Sequence, residues 1–116
     1  MKQFLWCIAF LFTSAFWAFG QSNNVIPYQK NITLAVGQAA VIHGMRGECG
    51  QSPDVSKFDK AGPTKRGVLS LGQPGVRKST SCGGFTPAIE IVFTATKPGR
   101  ETLKLFGDKI KIRVIR

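Results

Sequence analysis

Glu101-Thr102-Leu103-Lys104-Leu105-Phe106-Gly107-Asp108-Lys109-Ile110-Lys111-Ile112-Arg113-Val114-Ile115 is the stretch that decides the fold. Apolar and polar residues alternate on both sides of Gly107, the period of a strand with one buried face. Reading Gly107-Asp108 as a two-residue hairpin loop pairs Phe106 with Lys109, so opposed residues sum to 215. Leu105 then faces Ile110 and Leu103 faces Ile112 on the buried side. On the other side Lys104 faces Lys111 and Thr102 faces Arg113.

The residues just before this hairpin extend the pattern. Ile89, Ile91, Phe93 and Ala95 point one way, and Glu90, Val92 and Thr94 the other. A tight hairpin at Pro98-Gly99 would set Phe93 opposite Lys104 and Ala95 opposite Thr102, mixing inner and outer faces. Since a one-residue slip flips every side chain, that turn is expected to carry the chain from one sheet to a second. Further back, Asn31 to Val36 alternates with Ile32, Leu34 and Val36 on one face. Gly37-Gln38 turns the chain into a strand from Ala39 to His43. Gly44 to Arg66 reads as irregular, Gly67 to Leu71 as a strand, and Gln73-Pro74-Gly75-Val76 as a type II turn before Val76 to Thr80 pairs back. No helix-period stretch of useful length follows Gly20. The pattern is that of an all-β antiparallel sandwich or barrel, and the change of sheet favours the sandwich.

The first twenty residues read differently. Lys2 supplies a positive start, Phe4 to Phe19 is apolar apart from Thr13 and Ser14, and Ala18-Phe19-Gly20 sets small residues where a signal peptidase reads. A run of 16 residues falls short of the roughly 20 that span a bilayer, so a secretory leader cleaved before Gln21 is expected. The mature domain is then 21–116, with no transmembrane segment, secreted or periplasmic.

Cys49 and Cys82 remain in that domain, and an even pair in an oxidising compartment reads as a disulfide. Such a bridge sets the two Cα atoms roughly 4.4–6.8 Å apart. Losing Lys2 leaves 15 Lys and Arg against 6 Asp and Glu, a net +9, concentrated after residue 48. A positive exported domain suits an anionic partner, either an envelope polymer or an acidic protein. Export and the lack of a recognition motif argue against nucleic acid. Solubility alone is the plainer explanation of the charge.

Two basic sets are candidate binding residues. One is Lys104, Lys109, Lys111 and Arg113 on the hairpin, rimmed by Phe106. The directly opposed Lys104 and Lys111 form an unfavourable pair that an anion would relieve. Lysines on a terminal strand also serve to block edge-to-edge pairing. The other set is Lys60, Lys65, Arg66, Arg77 and Lys78, with Lys57, on the expected loops.

Catalytic and cofactor chemistry finds little purchase. His43 is the single histidine, so a copper site with Met45 and Cys49 lacks its second imidazole, and a disulfide would remove the thiolate. On its strand His43 shares parity with Val41, which suits a structural role at the strand end. No Gly-x-Ser-x-Gly elbow is present, a triad would draw on Asp54 or Asp59 in a loop, and the six acids are scattered. No catalytic residue, metal ligand or cofactor is assigned.

Asn31-Ile32-Thr33-Leu34-Ala35-Val36-Gly37-Gln38-Ala39-Ala40 resembles the opening of bacterial immunoglobulin-like domains. Phe93 to Leu105, entered through Pro98-Gly99, is similar to their penultimate strand, and Ile110 to Ile115 to their last. The resemblance covers about half of the mature chain and departs from the family at Glu48-Cys49-Gly50 and Ser81-Cys82-Gly83-Gly84. It implies an all-β, immunoglobulin-like antiparallel β-sandwich, here with one disulfide, and a binding, adhesive or spacer role, and it carries over no site residues. The architecture also resembles secreted inhibitors of cysteine peptidases, whose inhibitory loop motifs are missing here. That likeness keeps open a second function, an inhibitor or immunity protein that plugs a hydrolase with a loop between Pro53 and Thr80.

Overall fold

The computed structural model describes residues 24–61 and 64–116, so the leader and its cleavage site lie outside the described residues. Six strands follow in order: β1 (Asn31–Ala35), β2 (Ala39–Arg46), β3 (Gly67–Ser79), β4 (Gly84–Ala95), β5 (Gly99–Leu105) and β6 (Asp108–Ile115). A 3-10 segment, Val55–Ala61, lies between β2 and β3. The strands form two three-stranded sheets, β1-β6-β5 and β2-β4-β3, packed into an all-β sandwich. Five of the strands are in antiparallel pairs, whereas β1 joins β6 in parallel. No helix among the described residues is long and apolar enough to cross a membrane.

The core sits between the sheets. Leu103, Leu105, Ile110, Ile112 and Val114 come from one side, and Ile42, Met45, Ile91, Phe93 and Ala95 from the other. The chain changes sheet at Lys97-Pro98-Gly99, as the face-mixing argument requires, and again at Val36-Gly37-Gln38. At the second corner Val36 donates to the Ile115 carbonyl in one sheet and Gly37 to the Ala95 carbonyl in the other. That crossing turns Val36 off the core face that Ile32 and Leu34 share, leaving it 44% exposed.

Three expectations change. First, Leu105 pairs with Asp108 and Lys104 with Lys109, so opposed residues sum to 213 and the hairpin loop is Phe106-Gly107. A tight turn of this kind needs positive φ at both central residues, and Phe106 (φ 52°) and Gly107 (φ 90°) supply it. Gly107 takes the second place and frees Asp108 to open β6. A shift of two keeps each side chain on its expected face but replaces the partner of Lys104.

Second, Pro74-Gly75 makes no turn, and β3 runs unbroken from Gly67 to Ser79. Its register against β4 jumps between Leu71 and Pro74. The Glu90 carboxylate stabilises that bulge by accepting from the Gln73 amide and the Asn24 side chain, both at 2.9 Å. β3 is an edge strand, where a proline costs no ladder bond. Gly75 is required because a Cβ there would sit 2.3 Å from the Asn24 carbonyl oxygen, where residues 24–26 pass alongside β3.

Third, β2 continues to Arg46 and bulges at Ile42, because Val41 opposes Val92 while His43 opposes Ile91. The extra residue buries Ile42 and His43 in succession, one in the core and one beneath Tyr28. Parity with Val41 therefore does not set the face of His43. Ile89 is only half-buried, while its neighbour Ala88 is 1% exposed. Cys49 and Cys82 are bonded with Cα atoms 5.5 Å apart, tying the segment after β2 to the β3–β4 turn.

Candidate functional site

Sheet parity places Arg100, Thr102 and Lys104 of β5, Lys109, Lys111 and Arg113 of β6, and Asn31 and Thr33 of β1 on one exposed face. The register lines them up in rows. Lys104 opposes Lys109, Thr102 opposes Lys111 beside Asn31, and Arg100 opposes Arg113 beside Thr33. All four hairpin cations anticipated from sequence share this face, and Arg100 joins them. Two of the rows are like-charge pairs, which cost stability when no counter-charge is near. β6 is the central strand of its sheet, so protection of an open edge does not explain Lys109, Lys111 and Arg113.

Four of the six acids are committed elsewhere. Glu101 points away from this face and accepts from the amides of Lys65 and Arg66 at 2.7 and 2.8 Å. Glu90 holds the β3 bulge, Asp54 accepts from Ser56, and Asp108 accepts from His43. Each carboxylate serves a local backbone or ring contact, so none of these four offsets the outer face. Its exposed surface is more uniformly positive than the net charge implies.

The second candidate set is split up. Lys57 is exposed on the 3-10 segment, and Lys60 falls on the same segment with its side chain outside the described residues. Lys65 and Arg66 precede β3, pinned by Glu101 and by amides of Thr96 and Lys97 that donate to the Arg66 carbonyl. Arg77 and Lys78 lie toward the other end of β3, on the order of 30 Å along an extended strand. These residues therefore make no single loop site.

Arg77 and Lys78 instead border a groove of about 850 Å³ between residues 25–28, the end of β3 and the β5–β6 turn. Arg46, absent from the expected set, joins them there. Its guanidinium donates to Ser81 Oγ at 3.0 Å and to the Gly47 carbonyl at 2.8 Å. Arg77 donates to the Gly44 carbonyl at 2.9 Å. The extension of β2 past His43 is what delivers Arg46, and the expectation of a loop from Gly44 hid it.

His43 is fully buried at the base of this groove. Nδ1 accepts from the Gly44 amide at 2.8 Å, which leaves the proton on Nε2 to donate to Asp108 Oδ2 at 2.9 Å. The Tyr28 ring stacks on the imidazole at 4.9 Å, and Phe106 meets it edge-on at 6.2 Å. Burial lowers the His43 pKa below its ordinary value of 6.5; the Asp108 hydrogen bond opposes this and the Arg77 charge adds to it. Met45 lies in the core and Cys49 in the disulfide, so the three residues of the copper reading are separated in role.

A neutral buried imidazole ties stability to pH. Below about pH 6.5 the unfolded chain binds a proton at His43 that the folded chain resists. Stability from this residue is therefore complete above that pH and is lost as pH falls toward the lowered folded value. Urea midpoints are expected to drop from pH 7.5 to pH 5.5, and His43→Gln to flatten that dependence while lowering stability at pH 7.5. Parallel pH profiles for the two proteins would contradict this role.

Comparison with family models, with curated proteins and with solved structures finds no match to this chain.

Proposed function

We propose that this chain is an exported, non-catalytic binding module whose β1-β6-β5 outer face takes an extended anionic polymer of the cell envelope. The observation that carries this reading is the set of five cations in register on one face, three of them on a central strand. Alternate residues of β6 set Lys109, Lys111 and Arg113 about 6.8 Å apart, and β5 lies about 4.8 Å away. A linear polyanion lying along β6 meets a charge at each step and relieves both like-charge rows. The likeness to bacterial immunoglobulin-like domains supports a binding role, and the disulfide is compatible with a secreted or periplasmic location.

Mature protein incubated with envelope extract is expected to retain acidic polymer and to release it steeply as salt rises, because surface charges are screened within about 8 Å at physiological ionic strength. Capture of one protein in a stoichiometric complex that survives high salt would overturn this reading in favour of the loop inhibitor. The intact mass of exported material is expected to begin at Gln21, and recovery of residues 1–20 in a membrane fraction would contradict export by cleavage.

A further inference from the structure

We propose that the groove beside His43 is a second, separate site that binds a single acidic sugar unit, its carboxylate or phosphate on Arg46, Arg77 and Lys78 and its ring against Phe106. The charge fits such a ligand. Among the described residues three cations face one acid, Asp108, and that acid already accepts from His43. Burial and the neighbouring Arg46 charge depress the Arg77 guanidinium, while Asp108 opposes them. Two guanidiniums that repel one another across the groove are held ready for an anion. Each has five N–H groups, and the bonds to Ser81, Gly47 and Gly44 use a minority of them.

Phe106 is the independent observation. The first central position of this turn favours Asn, Asp or Gly, and a bulky residue there is strained at φ 52°. Phenylalanine gains little burial in return, being 46% exposed. Phe106 lines the groove together with Ser79, Thr80 and Ser81. A strained, half-exposed aromatic residue, whose ring meets His43 only edge-on, points to a role beyond folding. An aromatic face beside hydroxyls and cations suits the apolar face, hydroxyl groups and acid of a charged pyranose. Tyr28 braces the arrangement, because its ring rests on His43 and its hydroxyl donates to the Lys109 carbonyl at 2.8 Å.

The test titrates the mature protein, at physiological salt, with trigalacturonate, glucose 6-phosphate, maltotriose and inorganic phosphate. At least one of the two acidic sugars is expected to bind saturably and about tenfold or more tighter than both controls; which one does so identifies the acid. Phe106→Asn suits the turn and is expected to raise the melting temperature by about 5 °C while weakening that binding at least tenfold. Arg46→Gln is expected to weaken it similarly, and Lys104→Glu with Lys111→Glu to leave it within about twofold. Equal binding of maltotriose, equal binding of inorganic phosphate, no saturable binding, or unchanged affinity in Phe106→Asn would each overturn the proposal.

Discussion

Replacing Cys49 and Cys82 together by serine is expected to lower the unfolding free energy by about 3.8 kcal/mol, the chain-entropy value for a ring of 34 residues. A domain of this size is worth roughly 5–10 kcal/mol in total, so the loss is roughly two-fifths to three-quarters of it. The melting temperature should fall on the order of 15–30 °C. The bridge also fixes local structure, because the Gly50 amide beside Cys49 donates at 2.9 Å to Oγ1 of Thr86, itself 1% exposed. Loss of the bridge frees the segment that follows Arg46 and the β3–β4 turn, which carries the Thr80 and Ser81 hydroxyls of the groove. The β1-β6-β5 face is built from other elements and should keep its charge arrangement while the protein remains folded. Urea melts of oxidised, reduced and double-serine protein measure the effect. A midpoint that does not move on reduction would show the bridge to be idle.

The second large effect concerns the outer face. Lys104→Glu with Lys111→Glu replaces two cations by two anions in the centre of the patch, and it should reduce retention on linear polyphosphate by on the order of a hundredfold at low salt. Each lost contact to a dense polyanion lowers the log–log salt slope by roughly 0.7–0.9. Thermal stability should be unchanged or slightly higher, because a carboxylate at position 104 would attract Lys109 where Lys104 now repels it. Reversing Lys57 and Lys65 gives the control, since these lie off the face. Strand reversals without effect, with loop reversals abolishing retention, would transfer the function to the segment before β3.

Much of this architecture is legible in the sequence because it depends on parity. The alternation in β5 and β6, and the face-mixing that rules out a hairpin at Pro98-Gly99, separate inside from outside without any knowledge of the second sheet. Parity also places Lys104, Lys109, Lys111 and Arg113 together, and it survives a register error of two. The loop position is easily misread because both Asp and Gly favour tight turns; Gly107 takes the second central place, and Asp108 then opens β6 and accepts from His43, sixty-five residues away in sequence. Pro74-Gly75 reads as a turn by local chemistry and becomes strand through Glu90 and the backbone of Asn24. Arg46 is hidden for a similar reason, since the bulge at Ile42 breaks the alternation that would have carried β2 to its end. Local signals specify the sheets, and long-range contacts specify the groove.

The most direct test of a polyanion-binding outer face is to titrate isotope-labelled mature protein with linear polyphosphate and follow the backbone amides. Shifts are expected to concentrate on Asn31 to Ala35, Arg100 to Lys104 and Lys109 to Arg113, and to vanish together as salt is raised. Shifts confined to the region from Val55 to Arg66, or persisting at high salt, would contradict it.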